Sequence, residues 1–185
     1  MYKTTIYVFD TEYFSGEMAD VLAEVADFWD DYCIVINFEV YEITEIPDEH
    51  VEHFDEFDQY TPADDYDYSQ EIDIQFFDEY FGDMASIILV DDIDLPGVYT
   101  AGPDAAGATV GSNIFIPDTT TGVPYENVIA HEIGHLLGIG YHSEDSGDLM
   151  YPVSTHGDLD DLDVTDSQME DIYDSPLLSL YESDN

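Results

Sequence analysis

The stretch from His131 to Pro152, HEIGHLLGIGYHSEDSGDLMYP, constrains the fold more than any other part of the chain. Residues i and i+4 of a helix share a face one turn apart, so His131 and His135 can present two imidazoles to one cation only if this segment is helical. Glu132 then stands beside that cation. There its carboxylate can take the proton of a metal-activated water, whose pKa falls from about 15.7 to near 7. A helix cannot supply a third ligand at this spacing, so the chain must turn back. Gly138, three residues after His135, suits the left-handed residue at which helices often stop, and His142 lies just beyond it. Three protein ligands leave a fourth position open for water and substrate, which is the arrangement of a catalytic zinc and not of a closed structural one. H-E-x-x-H alone also arises in an ordinary amphipathic helix with exposed histidines, whereas the extended pattern is much harder to obtain by accident.

These residues resemble the signature of the metzincin zinc peptidases, H-E-x-x-H-x-x-G-x-x-H followed by a methionine turn. His131, Glu132, His135 and Gly138 fall on that pattern. The place of the third histidine, ten residues after the first, is held by Tyr141, and His142 comes one residue late. Leu149, Met150, Tyr151 and Pro152 are similar to the Met-turn of the matrixin branch, where the methionine follows the third histidine by the interval that separates Met150 from His142. The resemblance therefore implies one inserted residue between Gly138 and His142, with Gly140 as a second flexible point to absorb it. Tyr141 stays open as an alternative ligand or as an oxyanion donor, and His156 is a second oxyanion candidate.

The resemblance implies one catalytic Zn2+ held by His131, His135 and His142, with Glu132 as the general base that then returns a proton to the leaving amine. Met150 would form an apolar floor without binding metal, and Tyr151 and Pro152 would wall the pocket for the residue after the scissile bond. The implied activity is hydrolysis of internal peptide bonds in a protein or peptide substrate. The implied fold is α+β and zincin-like, a mixed, twisted sheet of about five strands with an N-terminal helix, an active-site helix and a C-terminal helix. Metzincins place an antiparallel edge strand beside the zinc, to which an extended substrate adds, and by this resemblance Val98 to Ala101 lines the cleft. Only His131 to Pro152 is specific; elsewhere the likeness rests on the order of elements.

Charge is the second constraint. The 185 residues carry 45 acids against a single basic residue, Lys3, for a formal net charge of −44. In dilute salt such a surface repels itself, while at molar salt the Debye length shrinks to about 3 Å and the repulsion is largely screened, so a salt-rich host is the natural setting. Disorder and calcium buffering are poorer readings, because the acids are interspersed with aromatics and β-branched residues throughout. An acidic mimic of nucleic acid that occupies a basic partner's groove is the rival reading, as is a zinc-binding scaffold without activity. Direct binding of DNA or RNA is excluded by the lack of cations to neutralise phosphates. The lack of arginine also disfavours clamping of a terminal carboxylate, and hence carboxypeptidase action.

Cys33 is the sole cysteine, so no intramolecular disulfide can form, and its place before Ile34, Val35 and Ile36 predicts a buried core thiol. The N-terminus has no signal-peptide pattern, and no segment is long and apolar enough to span a bilayer. A cytoplasmic protein of a halophile, or a domain of an exported one, is expected, as a monomer.

A single domain fits this length. Thr4 to Phe9 predicts a first strand, and after Ser15 the residues Met18, Val21, Leu22, Val25, Phe28, Trp29 and Tyr32 recur at helical spacing as one core-facing stripe. Ile34 to Ile43 and Ser86 to Val90 predict two more strands, and Gly97 to Asp118 two short ones around a loop, ending in Asn113 to Pro117. Between them, about 47 to 83 is an acidic, aromatic insertion with a helix expected from about Ser69 to Phe81. There His50 and His53, three apart among acids, offer an additional structural cation site, with exposed histidines the simpler reading. Pro124 suits the first position of the helix that carries the histidines, with Val128, Ile129, Leu136 and Leu137 facing the core. Thr165 and Gln168 form a capping box for a last helix, which carries Met169, Ile172 and Tyr173 and is ended by Pro176.

Overall fold

The computed structural model describes residues 1–10, 18–42, 56–58, 84–90, 92–94, 107–117, 124–152 and 157–180. Strand β1 (Tyr2–Asp10), helix α1 (Met18–Asp31) and strand β2 (Ile34–Glu42) form a parallel crossover, with Tyr2 opposite Ile34 and Asp10 opposite Glu42. Five strands then follow: β3 (Glu56–Asp58), β4 (Ser86–Val90), β5 (Asp92–Asp94), β6 (Ala108–Val110) and β7 (Asn113–Pro117). Helices α2 (Tyr125–Leu136) and α3 (Asp166–Tyr173), a 3-10 turn at Leu159–Asp161 and strand β8 (Ser179–Leu180) complete the described elements.

The main sheet runs β2-β1-β4-β7-β6, with β8 on β1. β1, β2, β4 and β7 are mutually parallel, while β6 lies antiparallel to β7 and β8 antiparallel to β1. This is the expected α+β architecture with its three helices, and the sheet has six strands where about five were expected. β3 and β5 form a separate parallel pair, Glu56 opposite Asp92, that sequence patterning does not indicate. Apart from β3, the insertion lies outside the described residues, including its expected helix and both His50 and His53; so do Val98 to Ala101 and His156.

Helix α1 buries Met18, Leu22, Val25, Phe28 and Trp29, with Val21 and Tyr32 packed at the margin of the core. Its stripe covers Ile6 and Val8 of β1 and Ile34 and Ile36 of β2, all buried in the same cluster. Each fully buried side chain of this size contributes roughly 1.5–3 kcal/mol by leaving water. The helix ends where Tyr32 N donates to Trp29 O and Cys33 N to Asp30 O. Cys33 takes φ 63 in that reversal and is exposed, which corrects the expected buried thiol. Its side chain sits at the apex of the turn, and the buried run begins one residue later at Ile34.

Helix α2 packs against α1, β6 and β7. Pro124 stands just before its first residue, with an extended ψ of 133°, rather than inside it as expected. Residues Asn127 to Gly134 are all buried, so the middle of this helix is covered on every side, and Tyr125 and Glu126 at its start and His135 near its end are partly open. Among the described residues no helix is long and apolar enough to cross a membrane.

Candidate metal centre

Helix α2 carries His131 and His135 one turn apart, and their rings lie 4.8 Å between centroids at 84°. The helix stops in a Schellman arrangement: Gly138 N donates to His135 O at 3.0 Å and Ile139 N to Gly134 O at 3.0 Å. Gly138 has φ +119, a conformation that L side chains rarely adopt, so a glycine here is required by the turn itself. From that point the chain reverses and brings His142 onto the other two. The His131 and His142 rings lie 5.3 Å apart and nearly parallel at 19°, and His135 Nε2 is 3.1 Å from His142 Nε2.

The inserted residue is absorbed on the outer side of this turn. Ile139 is fully buried and its carbonyl accepts from His135 Nδ1 at 2.6 Å. Gly140 and Tyr141 bulge outward and are exposed, with no atom within 4 Å of the place where a Cβ on Gly140 would sit. Gly140 keeps a negative φ, so the expected second flexible point uses none of glycine's special freedom. The extra length is taken up by position, not by backbone strain.

One ligand atom from each of His131, His135 and His142 lies within 4.8 Å of the others, which makes these three residues a group able to hold a metal ion. The donor chemistry suits zinc. His131 Nδ1 donates to Leu149 O at 2.7 Å and His135 Nδ1 to Ile139 O at 2.6 Å, which fixes both tautomers and leaves their Nε2 lone pairs unprotonated. Tetrahedral ligands at about 2.0–2.1 Å from a zinc stand about 3.3 Å apart, close to the separation of the His135 and His142 nitrogens. Burial pushes the His131 pKa down, with a further lowering from His135. His142 shifts down too, through desolvation of its ring and then the neighbouring His135 and His131, although the residue as a whole is exposed. His131 and His142 are thereby biased to the neutral form that binds metal.

Met150 is fully buried against the same helix, where a Cβ on Gly134 would come 2.6 Å from its sulfur. The glycine between Glu132 and His135 is what lets the turn at Met150 approach the helix. The turn is pinned from three directions. Ser143 N donates to Met150 O at 2.8 Å, Leu149 N to Asp163 O at 2.8 Å, and Met150 N to Asp148 Oδ1 at 2.8 Å. Buried Asp148 also accepts from Gln168 Nε2 at 3.0 and 3.1 Å. Gln168 Oε1 accepts from Thr165 N at 2.7 Å, completing the predicted capping box of α3. The Gln168 side chain in the first turn of α3 thus holds the Asp148 carboxylate next to Leu149, whose carbonyl accepts from His131, a connection that sequence spacing does not disclose. Tyr151 is half-buried and Pro152 exposed just beyond.

Glu132 is buried, and Thr109 of β6 donates its hydroxyl to Glu132 Oε2 at 2.6 Å, with Glu132 O also within reach at 3.1 Å. Among the described residues β6 is an edge of the main sheet and packs next to α2. Thr109, Asp148 and Gln168 are the site residues that sequence reasoning missed.

The sequence profile of the matrixins, peptidase family M10, matches residues 42–174. The chain belongs to the matrixin family. No curated protein matches it significantly. Among solved structures it is similar to archaemetzincin from Methanopyrus kandleri, with 15% identity and a TM-score of 0.53 over 92% of this chain and 93% of that one. At that identity the likeness concerns the fold, which is metzincin-like. As a matrixin the protein is a zinc metallopeptidase, and its substrates are proteins or peptides.

Proposed function

We propose that this matrixin is a zinc endopeptidase working in concentrated salt, with Glu132 as its general base and His131, His135 and His142 as its metal ligands. The observation that carries the reading is the convergence of three imidazoles within 4.8 Å, two of them locked by backbone carbonyls to offer Nε2. A zinc ion held there would lower the pKa of a water in the open position to near 7 and polarise the scissile carbonyl. Glu132, next along the helix, would take a proton on its carboxylate and hand it to the leaving amine. Met150 would support the ligands as an apolar floor.

Substrate would lie extended along β6, whose outer edge pairs with no other described strand, and would bind through backbone hydrogen bonds independent of its termini. That mode favours internal bonds, and a chain without arginine has no guanidinium with which to fork a terminal carboxylate. Tyr151 and Pro152 would wall the pocket past the scissile bond. Tyr141, half-exposed beside His142, would be the oxyanion donor, with His142 and not Tyr141 as third ligand because the longer turn delivers its ring to the cluster.

The test is Glu132→Gln. It should keep one equivalent of zinc while cleavage of a peptide blocked at both ends, in molar KCl, falls by about 10²–10⁴-fold. An unchanged rate would make the protein something other than a Glu132-dependent peptidase, and cleavage only of peptides with free ends would remove the endopeptidase assignment.

A further inference from the structure

A carboxylate swings easily about its terminal torsion, which is broad and roughly two-fold. Glu132 is only 7% exposed, and the chain's one basic residue, Lys3, stands at the start of β1, so such buried acids are held by neutral donors, Thr109 for Glu132 and Gln168 and Met150 N for Asp148. Two features of the strand beside it bear on that torsion. Thr109 donates to Glu132 Oε2 at 2.6 Å. Two residues earlier, a Cβ on Gly107 would come 3.0 Å from Glu132 Cγ and 2.8 Å from Val128 Cγ1, so only a glycine lets the strand close on the helix at this level.

We infer that Thr109 is a positioning residue which, with Gly107, clamps one oxygen of Glu132 so that the other, Oε1, is held ready for proton transfer. The inference rests on the reading of Glu132 as the base. The hydroxyl takes up Oε2 and stops the carboxyl group from rotating, which leaves Oε1 as the oxygen free to accept the proton. Thr109 also belongs to the strand along which substrate is proposed to lie, so ordering of that strand by a bound peptide would tighten the clamp when the base is needed. A hydroxyl that only satisfied a buried carboxylate would affect stability without favouring kcat over KM.

The experiment compares Thr109→Val, Thr109→Ser and Glu132→Gln on a blocked peptide in molar KCl. Thr109→Val should lower kcat about 10–100-fold, with KM and zinc affinity within about twofold of wild type, and Thr109→Ser should recover to within about threefold. In the zinc-free protein, Thr109→Val should shift the unfolding equilibrium by about tenfold when Glu132 is present and by less than about twofold in a Glu132→Ala background. If the valine variant does not fold, Thr109→Ala carries the same comparison. Wild-type kcat in the valine or alanine variant, a serine variant no better than it, or equal stability effects in the two backgrounds each overturn the clamp. Full activity in Glu132→Gln would instead overturn the base assignment, whatever Thr109 does.

Discussion

Gly138 and Gly140 stand two apart in one turn and differ in what they require. Gly138 has φ +119 and a Cβ there would lie 3.4 Å from Asp171 O, so Gly138→Ala should cost about 1–3 kcal/mol and weaken zinc binding by displacing His142. Gly140→Ala meets nothing within 4 Å at a negative φ and should leave both within error, as thermal unfolding and zinc titration would show. The His131 ring makes a second prediction. Its folded-state pKa is pushed below 6.5 by burial, so below about that pH the unfolded chain takes up a proton that the folded one refuses. Stability from this group is therefore complete above pH 6.5 and is lost as pH falls beneath it. Protonation of the many surface acids acts in the opposite direction, so the measurement is a difference: zinc-free wild type should lose stability relative to His131→Gln between pH 7 and 5.5 in molar KCl. A constant difference would count against the shift. The grouping of His131, Glu132 and His135 and the turn at Gly138 were legible in the sequence because helix periodicity and a short return loop fix their spacing locally, while Met150 was indicated only by resemblance to the matrixin pattern. Thr109 and Asp148 were not, since their partners Glu132 and Gln168 lie 23 and 20 residues away and no pattern links a lone threonine or aspartate to such a distance.

The most consequential link between elements is the one from α3 to the turn at Asp148–Met150. Gln168 spends its carbonyl on the capping box and its amide nitrogen on both oxygens of Asp148, which orders the turn that accepts from His131. Gln168→Leu removes the nitrogen that donates to both oxygens of a buried carboxylate and should destabilise by about 1–3 kcal/mol, more than an ordinary capping loss. Because the carbonyl that orients His131 belongs to that turn, zinc affinity should fall by about 10-fold or more as well, read by competition with a chelator. An effect on stability alone would confine Gln168 to capping. The capping box itself was visible in the sequence, as were β1, β2, β4, β7 and the three described helices, where apolar runs or helical spacing extend over five residues or more. β3, β5, β6 and β8 are two or three residues long and are strands only because a neighbour pairs with them, so local pattern holds little trace of them. Cys33 misled for a related reason: it adjoins an apolar run, but the left-handed turn that ends α1 places it outside.

At the scale of the whole molecule the net charge of −44 confronts a core that resembles that of any other mixed α/β domain. Glu132 and Asp148 are the buried acids among the residues whose side chains are described, and each is held by hydrogen bonds, while the other acids of that set are exposed or partly exposed. With a single basic residue there is almost no opposite charge to pair them, and screening by dissolved salt is the remaining means of reducing their repulsion. The Debye length falls from about 10 Å at 0.1 M to about 3 Å at 1 M, which predicts how the response should look. The melting temperature should climb steeply over that range and flatten beyond it, where little repulsion is left to screen. Stabilisation by solute exclusion has a different signature, for sucrose strengthens burial without screening charge and should raise the melting temperature only modestly in dilute buffer. A zinc-loaded and a zinc-free sample should show parallel salt curves, because the acids responsible cover the surface and do not belong to the metal centre. A flat response to KCl would mean that the surface tolerates its charge unaided, and the adaptation to salt would have to be abandoned while the peptidase site stood.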